Sequence, residues 1–262
     1  MTRKHVIRRL AGVATLTLAA SLPAHAAFDW VFSTANCVSG ACSSTGVYGD
    51  TMVFSSPTGQ GNVTVSGISN TGRAGRLRSS AVALWSGIGV KNAAESGSVP
   101  NHAADNSGYI DAVLIDFGTS LVTLDSLQIG WPGSSSGYDS DISLLAYTGS
   151  GDPLNAGDSD YLGNLDYSQL LSQGWAHAGD YSNVAQQPGK TVSVNGGGYS
   201  SSLWLVSAFN PFVSSKNWST GNDFFKLSAL GGRVGAPPSG IPEPGTLALL
   251  AAGLGVMRLR RR

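Results

Sequence analysis

Along the chain, short apolar runs with period-two alternation are separated by clusters of Gly, Ser, Asn and Pro. That is the pattern of strands with one face buried and turns between them. Residues 28–34 (FDWVFST), 48–54 (YGDTMVF) and 62–68 (NVTVSGI) predict three strands, with Pro57-Thr58-Gly59 as turn chemistry between the last two. Residues 77–85 (LRSSAVALW) predict a fourth, after which Gly87-Ile88-Gly89-Val90 leads into a polar loop. The centre carries the clearest pattern. Residues 109–117 (YIDAVLIDF) set Val113, Ile115 and Phe117 on one face, and 121–131 and 141–148 follow. Three strands this close in sequence predict antiparallel neighbours, because parallel pairs need long crossovers.

The rhythm changes once. Tyr161, Leu162, Leu165, Leu170 and Leu171 recur at helical spacing, with Asp158 or Ser159 placed to cap and Gly174 to stop a short surface helix. Strand patterning returns at 174–178, 190–194, 202–209 and 223–230. About ten short strands, one short helix and no repeat period predict an all-β fold. The expected form is a two-sheet antiparallel β-sandwich, jelly-roll-like, over residues 27–234.

The segments outside that body have a different composition. Arg3, Lys4, Arg8 and Arg9 open the chain, residues 11–20 are uncharged and mostly apolar, and Ser21-Leu22-Pro23-Ala24-His25-Ala26-Ala27 follows. A basic region, a short apolar run and a small-x-small site predict a secretory signal peptide over 1–26. Ala24 and Ala26 occupy the −3 and −1 positions, so cleavage is expected before Ala27. The run is too short for a membrane anchor, and Pro23 interrupts it.

Residues 235–244 form a Pro/Gly-rich linker ending in Pro242-Glu243-Pro244. An apolar span over 245–257 leads to Arg258, Arg260, Arg261 and Arg262. The expectation for 245–262 is a hydrophobic helix near the lower length limit for crossing a bilayer, its basic end held in the cytoplasm. The order Pro-Glu-Pro, apolar span, arginine cluster resembles the PEP-CTERM sorting signal of Gram-negative bacteria. That resemblance implies recognition by a membrane-embedded exosortase, cleavage near Pro242-Glu243-Pro244, and release or re-anchoring outside the cell. The body is also similar to exosortase-dependent surface proteins. Residues 85–91 (WSGIGVK), 102–108 (HAADNSG), 139–149 (DSDISLLAYTG) and 223–229 (DFFKLSA) carry the likeness. It implies an exported surface or matrix protein and brings no catalytic residue with it.

The two terminal segments also change the meaning of the charge. The formal net charge is +0, but eight of the sixteen basic residues and only one of the sixteen acidic ones, Glu243, lie in those segments. The body therefore carries fifteen acidic and eight basic residues, a balance of −7. An acidic surface repels phosphate backbones, which excludes nucleic acid as an expected partner. The expected partners are the secretion machinery and exosortase, the membrane through 245–262 before processing, and exopolysaccharide.

Candidate chemistry is sparse. Cys37 and Cys42 lack metal or C-x-x-C spacing and predict a local disulfide in an oxidising compartment. His102 and His177 are the only histidines of the body, each read as a lone turn or strand-edge residue. Gly133-Ser134-Ser135-Ser136-Gly137 matches a nucleophile elbow in letters, but that motif acts on a strand-to-helix turn of an α/β sheet. Asp139 and Asp141, two residues apart beside a turn, offer hard oxygens suited to a structural calcium, although the EF-hand pattern is absent. Six tryptophans could stack on sugars; most lie in apolar runs and read as core, leaving Trp218 as the expected exposed one. No cofactor is expected beyond that calcium, and the sequence reads as a non-catalytic protein. The rival readings are a carbohydrate-binding module and, more weakly, a secreted hydrolase.

Overall fold

A computed structural model describes residues 28–42, 48–95, 102–131 and 137–235. The signal-peptide positions Ala24, Ala26 and Ala27 lie outside the described residues, as do Pro242, Glu243, Pro244, Arg258, Arg260, Arg261, Arg262 and Ser134 to Ser136. Among the described residues, no helix is long and apolar enough to cross a membrane.

The body is all-β. Its strands are β1 (Trp30–Val31), β2 (Cys37–Gly40), β3 (Thr51–Ser55), β4 (Asn62–Ser69), β5 (Arg78–Leu84), β6 (Ile88–Lys91) and β7 (Ala104–Asp105). They continue with β8 (Asp111–Asp116), β9 (Val122–Trp131), β10 (Ile142–Tyr147), β11 (Trp175–Tyr181), β12 (Thr191–Ser193), β13 (Leu203–Ala208) and β14 (Phe224–Val234). Every strand pair is antiparallel. The hydrogen-bonded path runs β11-β10-β13-β8-β4-β5-β6-β14-β9-β12, with β2 and β3 beside β4 and with β1 and β7 on β14.

Where two separate sheets were expected, the strands form one continuous sheet of fourteen. The reason is β5. Its first residues, Arg78 to Ser80, pair with β4, and Ala81 to Leu84 pair with β6. One strand thus carries the ladder from one half of the sheet to the other.

The alternation seen in the sequence sets the cores. Val63 and Val65 of β4, Val113 and Ile115 of β8, and Trp204 and Val206 of β13 share one core with Leu124 and Leu127 of β9 and Leu227 and Leu230 of β14. The opposite face of β8, β10 and β13 is buried too. Ala112, Leu114, Leu145, Tyr147, Leu203 and Leu205 lie under Leu162, Leu165, Tyr167 and Leu170 in a second cluster. Each such side chain contributes about 1.5–3 kcal/mol when fully buried.

That covering segment corrects the predicted helix. It consists of two short 3-10 pieces, Leu162–Asn164 and Tyr167–Ser172, broken at Leu165, which is extended. The cap is Asp166, not Asp158 or Ser159. Its carboxylate accepts from the Gln169 backbone N–H at 3.2 Å, and the Gln169 side chain accepts from the Asp166 N–H at 3.0 Å. A continuous helix would present a narrow stripe, whereas the two pieces lay four apolar side chains across a broad sheet face. Leu171 points away and is exposed.

A second correction concerns order. β8, β9 and β10 follow one another in sequence but do not pair: β8 lies between β4 and β13, β9 between β14 and β12, and β10 between β11 and β13. The two connections cross between halves of the sheet, and local sequence patterning carries no information on that crossing.

Candidate cation site

Two groups of carboxylates gather where strand ends meet the loops, and in each, one oxygen per residue lies within 4.8 Å of the others. The first contains the predicted pair Asp139 and Asp141, joined by Asp223, which the sequence reading did not connect to them. Asp139 bridges Asp223 at the start of β14: its N–H donates to Asn222 O, and Phe224 N–H donates to Asp139 O at 2.9 Å. The Asp223 carboxylate accepts from the Asp141 backbone N–H at 3.0 Å through Oδ1 and from the buried Asn106 amide at 2.6 Å through Oδ2. Asp141 Oδ1 accepts from the Asn183 N–H at 2.7 Å, and Asp139 Oδ1 from the Ser140 N–H at 2.8 Å.

These carboxylates therefore tie β10, β14 and the loops before and after them together. Where the sequence placed Asp139 and Asp141 beside a turn, Asp141 is buried within this lattice. Burial raises the Asp141 carboxyl to about 6 and the Asp223 carboxyl to about 7, against the pull of the hydrogen bonds they accept.

The second group is Glu95, Asp105 and Asp111. Asp105 sits in β7, which pairs with Phe224 and Phe225 of β14, while Asp111 opens β8 opposite Ser69 of β4. The Asn92 amide bridges Glu95 Oε1 at 2.9 Å and Asp111 Oδ1 at 3.1 Å. Burial pushes Asp105 up to about 7 and Asp111 well above the ordinary carboxylate range, with the neighbouring carboxylates adding to the rise. Glu95 is also raised by burial, although Asp111, Lys91 and the Asn92 backbone pull it down. His102, held at a φ of 54°, places Nδ1 3.9 Å from Glu95 Oε2.

A third polar cluster brings two serines, a histidine and an acid together. Asp180 accepts from Ser143 Oγ at 2.7 Å and from Ser214 Oγ at 2.5 Å, and His177 Nε2 lies 3.0 Å from its Oδ1. Burial works to raise the Asp180 carboxyl, and these neighbours outweigh it, so the carboxyl ends below its usual value. Both serines bond to the acid rather than to the histidine, so neither has the serine–base contact that activates a nucleophile.

No known protein family, curated protein or solved structure matches this chain. Its sites are therefore read from their own geometry.

The remaining predicted residues separate. Cys37 and Cys42 form a disulfide, with Cα atoms 5.7 Å apart, at the start of β2. Trp218 is not the exposed tryptophan: its ring packs on Phe209 with centroids 5.1 Å apart and is half-buried. The exposed one is Trp85, at 51 %. Its position at the end of β5 puts it over Lys226 Nζ, 4.9 Å from the ring centroid, with Trp131 5.2 Å from the same ammonium. Lys226 is buried, and burial lowers its ammonium to about 8. Trp30, Trp175 and Trp204 are core residues. The missed members of the two acidic groups were legible in part: Asp111 lies at i−2 from Val113, on the same strand face as the core.

Proposed function

We propose that the protein is a non-catalytic, exported surface or extracellular-matrix protein, with a jelly-roll-like β-sandwich body that an exosortase processes through the PEP-CTERM-like tail. The observation that carries this reading is the pairing of a signal-peptide-like opening with the Pro242-Glu243-Pro244, apolar and arginine segments in one chain. The Cys37–Cys42 disulfide supports an oxidising compartment, where such bonds persist. The shared core between the two halves of the sheet supports the sandwich reading.

Mass spectrometry of the mature protein from its own host tests the proposal. It predicts a chain beginning at Ala27 and cut near Pro242-Glu243-Pro244. A chain still ending at Arg262 contradicts the sorting step.

One observation favours a second reading, a module that binds exopolysaccharide. Trp85 exposes half its surface beside the buried Lys226 ammonium, which suits stacking on a sugar face with a hydrogen-bond donor next to it. Polysaccharide pull-down that is lost in Trp85→Ala and kept in Trp218→Ala supports that reading. No retention by the unaltered protein removes it.

A further inference from the structure

The group formed by Glu95, Asp105 and Asp111 differs from the usual acidic surface cluster in what surrounds it. Asp111 is wholly buried and its Oδ2 has no hydrogen-bond partner among the described residues. Ser69, directly opposite Asp111 in the β4–β8 pair, is also wholly buried; its hydroxyl is near enough to pull the Asp111 carboxyl down, yet its Oγ makes no contact of hydrogen-bond geometry. An orphaned buried oxygen costs about 1–3 kcal/mol, and more when the group is charged, so native structures rarely leave two side by side.

Protein cations do not answer for them. Among the described residues, His102 Nδ1 lies 3.9 Å from Glu95 Oε2 with burial favouring its neutral form, and no Lys or Arg reaches Asp105 or Asp111 within salt-bridge distance. Asn92 contributes neutral donors to Glu95 and Asp111, and its own oxygen is taken by the Ala94 N–H at 2.9 Å.

From these observations we propose that Glu95, Asp105 and Asp111, with Ser69 beside them, bind one calcium ion. Oxygens bound to one calcium lie at roughly 2.3–2.6 Å from it, so ligands on opposite sides are about 5 Å apart. One carboxylate oxygen from each of the three residues lies within 4.8 Å of the other two. Three carboxylates can supply up to six oxygens, and the Ser69 hydroxyl a seventh, in the range calcium takes. The set has no thiolate, and hard oxygen donors select calcium, magnesium or manganese over zinc or copper. Calcium is favoured over magnesium because a buried, irregular set of carboxylates leaves little room for the waters magnesium keeps. Glu95, only half-buried, is the most exposed of the three carboxylates. The ion also joins the loop after β6, β7 and the start of β8, and through Ser69 the end of β4. It would therefore stabilise the fold by binding only its native form.

The test uses the full-length protein, stripped with EGTA and then titrated with calcium chloride while the thermal midpoint and the heat of binding are followed. The unaltered protein is expected to bind one ion with an affinity of roughly 10⁻⁴–10⁻³ M, the range of extracellular calcium modules, and its midpoint to rise. Asp111→Asn is expected to weaken binding at least tenfold and remove the rise, while Asp141→Asn keeps both. If Asp111→Asn does not fold, Glu95→Gln, at the half-buried edge, carries the same prediction. The proposal is overturned if calcium leaves the unaltered midpoint unchanged. It is equally overturned if the rise survives Glu95→Gln, or if Asp141→Asn abolishes it in place of the Glu95 group.

Discussion

The two acidic groups each bring three carboxylates within 4.8 Å of one another, yet they are built for different tasks. Around Asp223, both carboxylate oxygens accept strong bonds, one from a backbone N–H and one from the Asn106 amide, and Asp141 accepts another from Asn183. Charge there is spread over donors that the fold itself supplies, which is how a buried carboxylate joins strands. Around Asp111, the fold supplies the Asn92 amide to Asp111 and Glu95 and the Ser107 N–H to Asp105, but leaves Asp111 Oδ2 and Ser69 Oγ, both buried, without a partner of hydrogen-bond geometry. Proximity of carboxylates is thus a poor sign of a metal site, and unmet hydrogen-bonding capacity is a better one.

The comparison breaks most visibly at Asn106. Its side chain donates to Phe209 O at 3.0 Å and to Asp223, and accepts from the Gly221 and Asp223 N–H groups at 2.9 and 3.1 Å. Asn106→Ala leaves buried groups on several segments unpaired, and it is expected to cost about 3 kcal/mol in denaturant unfolding with any calcium response unchanged. A loss under about 1 kcal/mol would mean that the Asp223 group is not a structural joint.

A smaller effect separates the groups by pH. Asp105 has a carboxyl raised to about 7 in the folded chain, so between about pH 4 and pH 7 the native state holds more protons than the unfolded one. Its contribution to stability is complete below the unfolded value and is lost as pH rises through about 7. In EGTA, the thermal midpoint should therefore fall from about pH 5 to about pH 8, and Asp105→Asn should flatten that slope. Saturating calcium should flatten it as well, whereas the part arising from Asp223, also raised to about 7, should persist. An identical slope in Asp105→Asn contradicts the account of that group.

The smallest expected effect is at Ser69. Because its buried hydroxyl has no protein partner of hydrogen-bond geometry, Ser69→Ala should raise calcium-free stability by about 1 kcal/mol, while weakening calcium binding severalfold. Equal loss with and without calcium would return Ser69 to an ordinary packing role.

Much of the fold was legible in the sequence because strand periodicity is a local property. Eleven predicted segments contain strands, and Val113 and Ile115 share a core face as their spacing requires. The strands that escaped notice are short or interrupted by glycine: β2, β6 and β7, with residues such as Gly89, whose backbone passes too close to His102 O to admit a Cβ. Strand order was not legible, since nothing in residues 109–148 states that β9 leaves for the other half of the sheet. The sites divide in the same way. Asp139 and Asp141 stand out as neighbours in sequence, while Asp223 reaches them only through the bridge that opens β14. Glu95, Asp105 and Asp111 come from three segments, and only Asp111 carried a local sign, a carboxylate on the apolar face of its strand. Trp85 reads as one more apolar residue at the end of β5 and turns outward because the strand ends there.

The most direct measurement is an anomalous difference map from crystals of the full-length protein grown in calcium chloride. The account predicts one peak, about 2.3–2.6 Å from carboxylate oxygens of Glu95, Asp105 and Asp111, and none among Asp139, Asp141 and Asp223. A peak confined to the Asp223 group, or no peak at either, would contradict it.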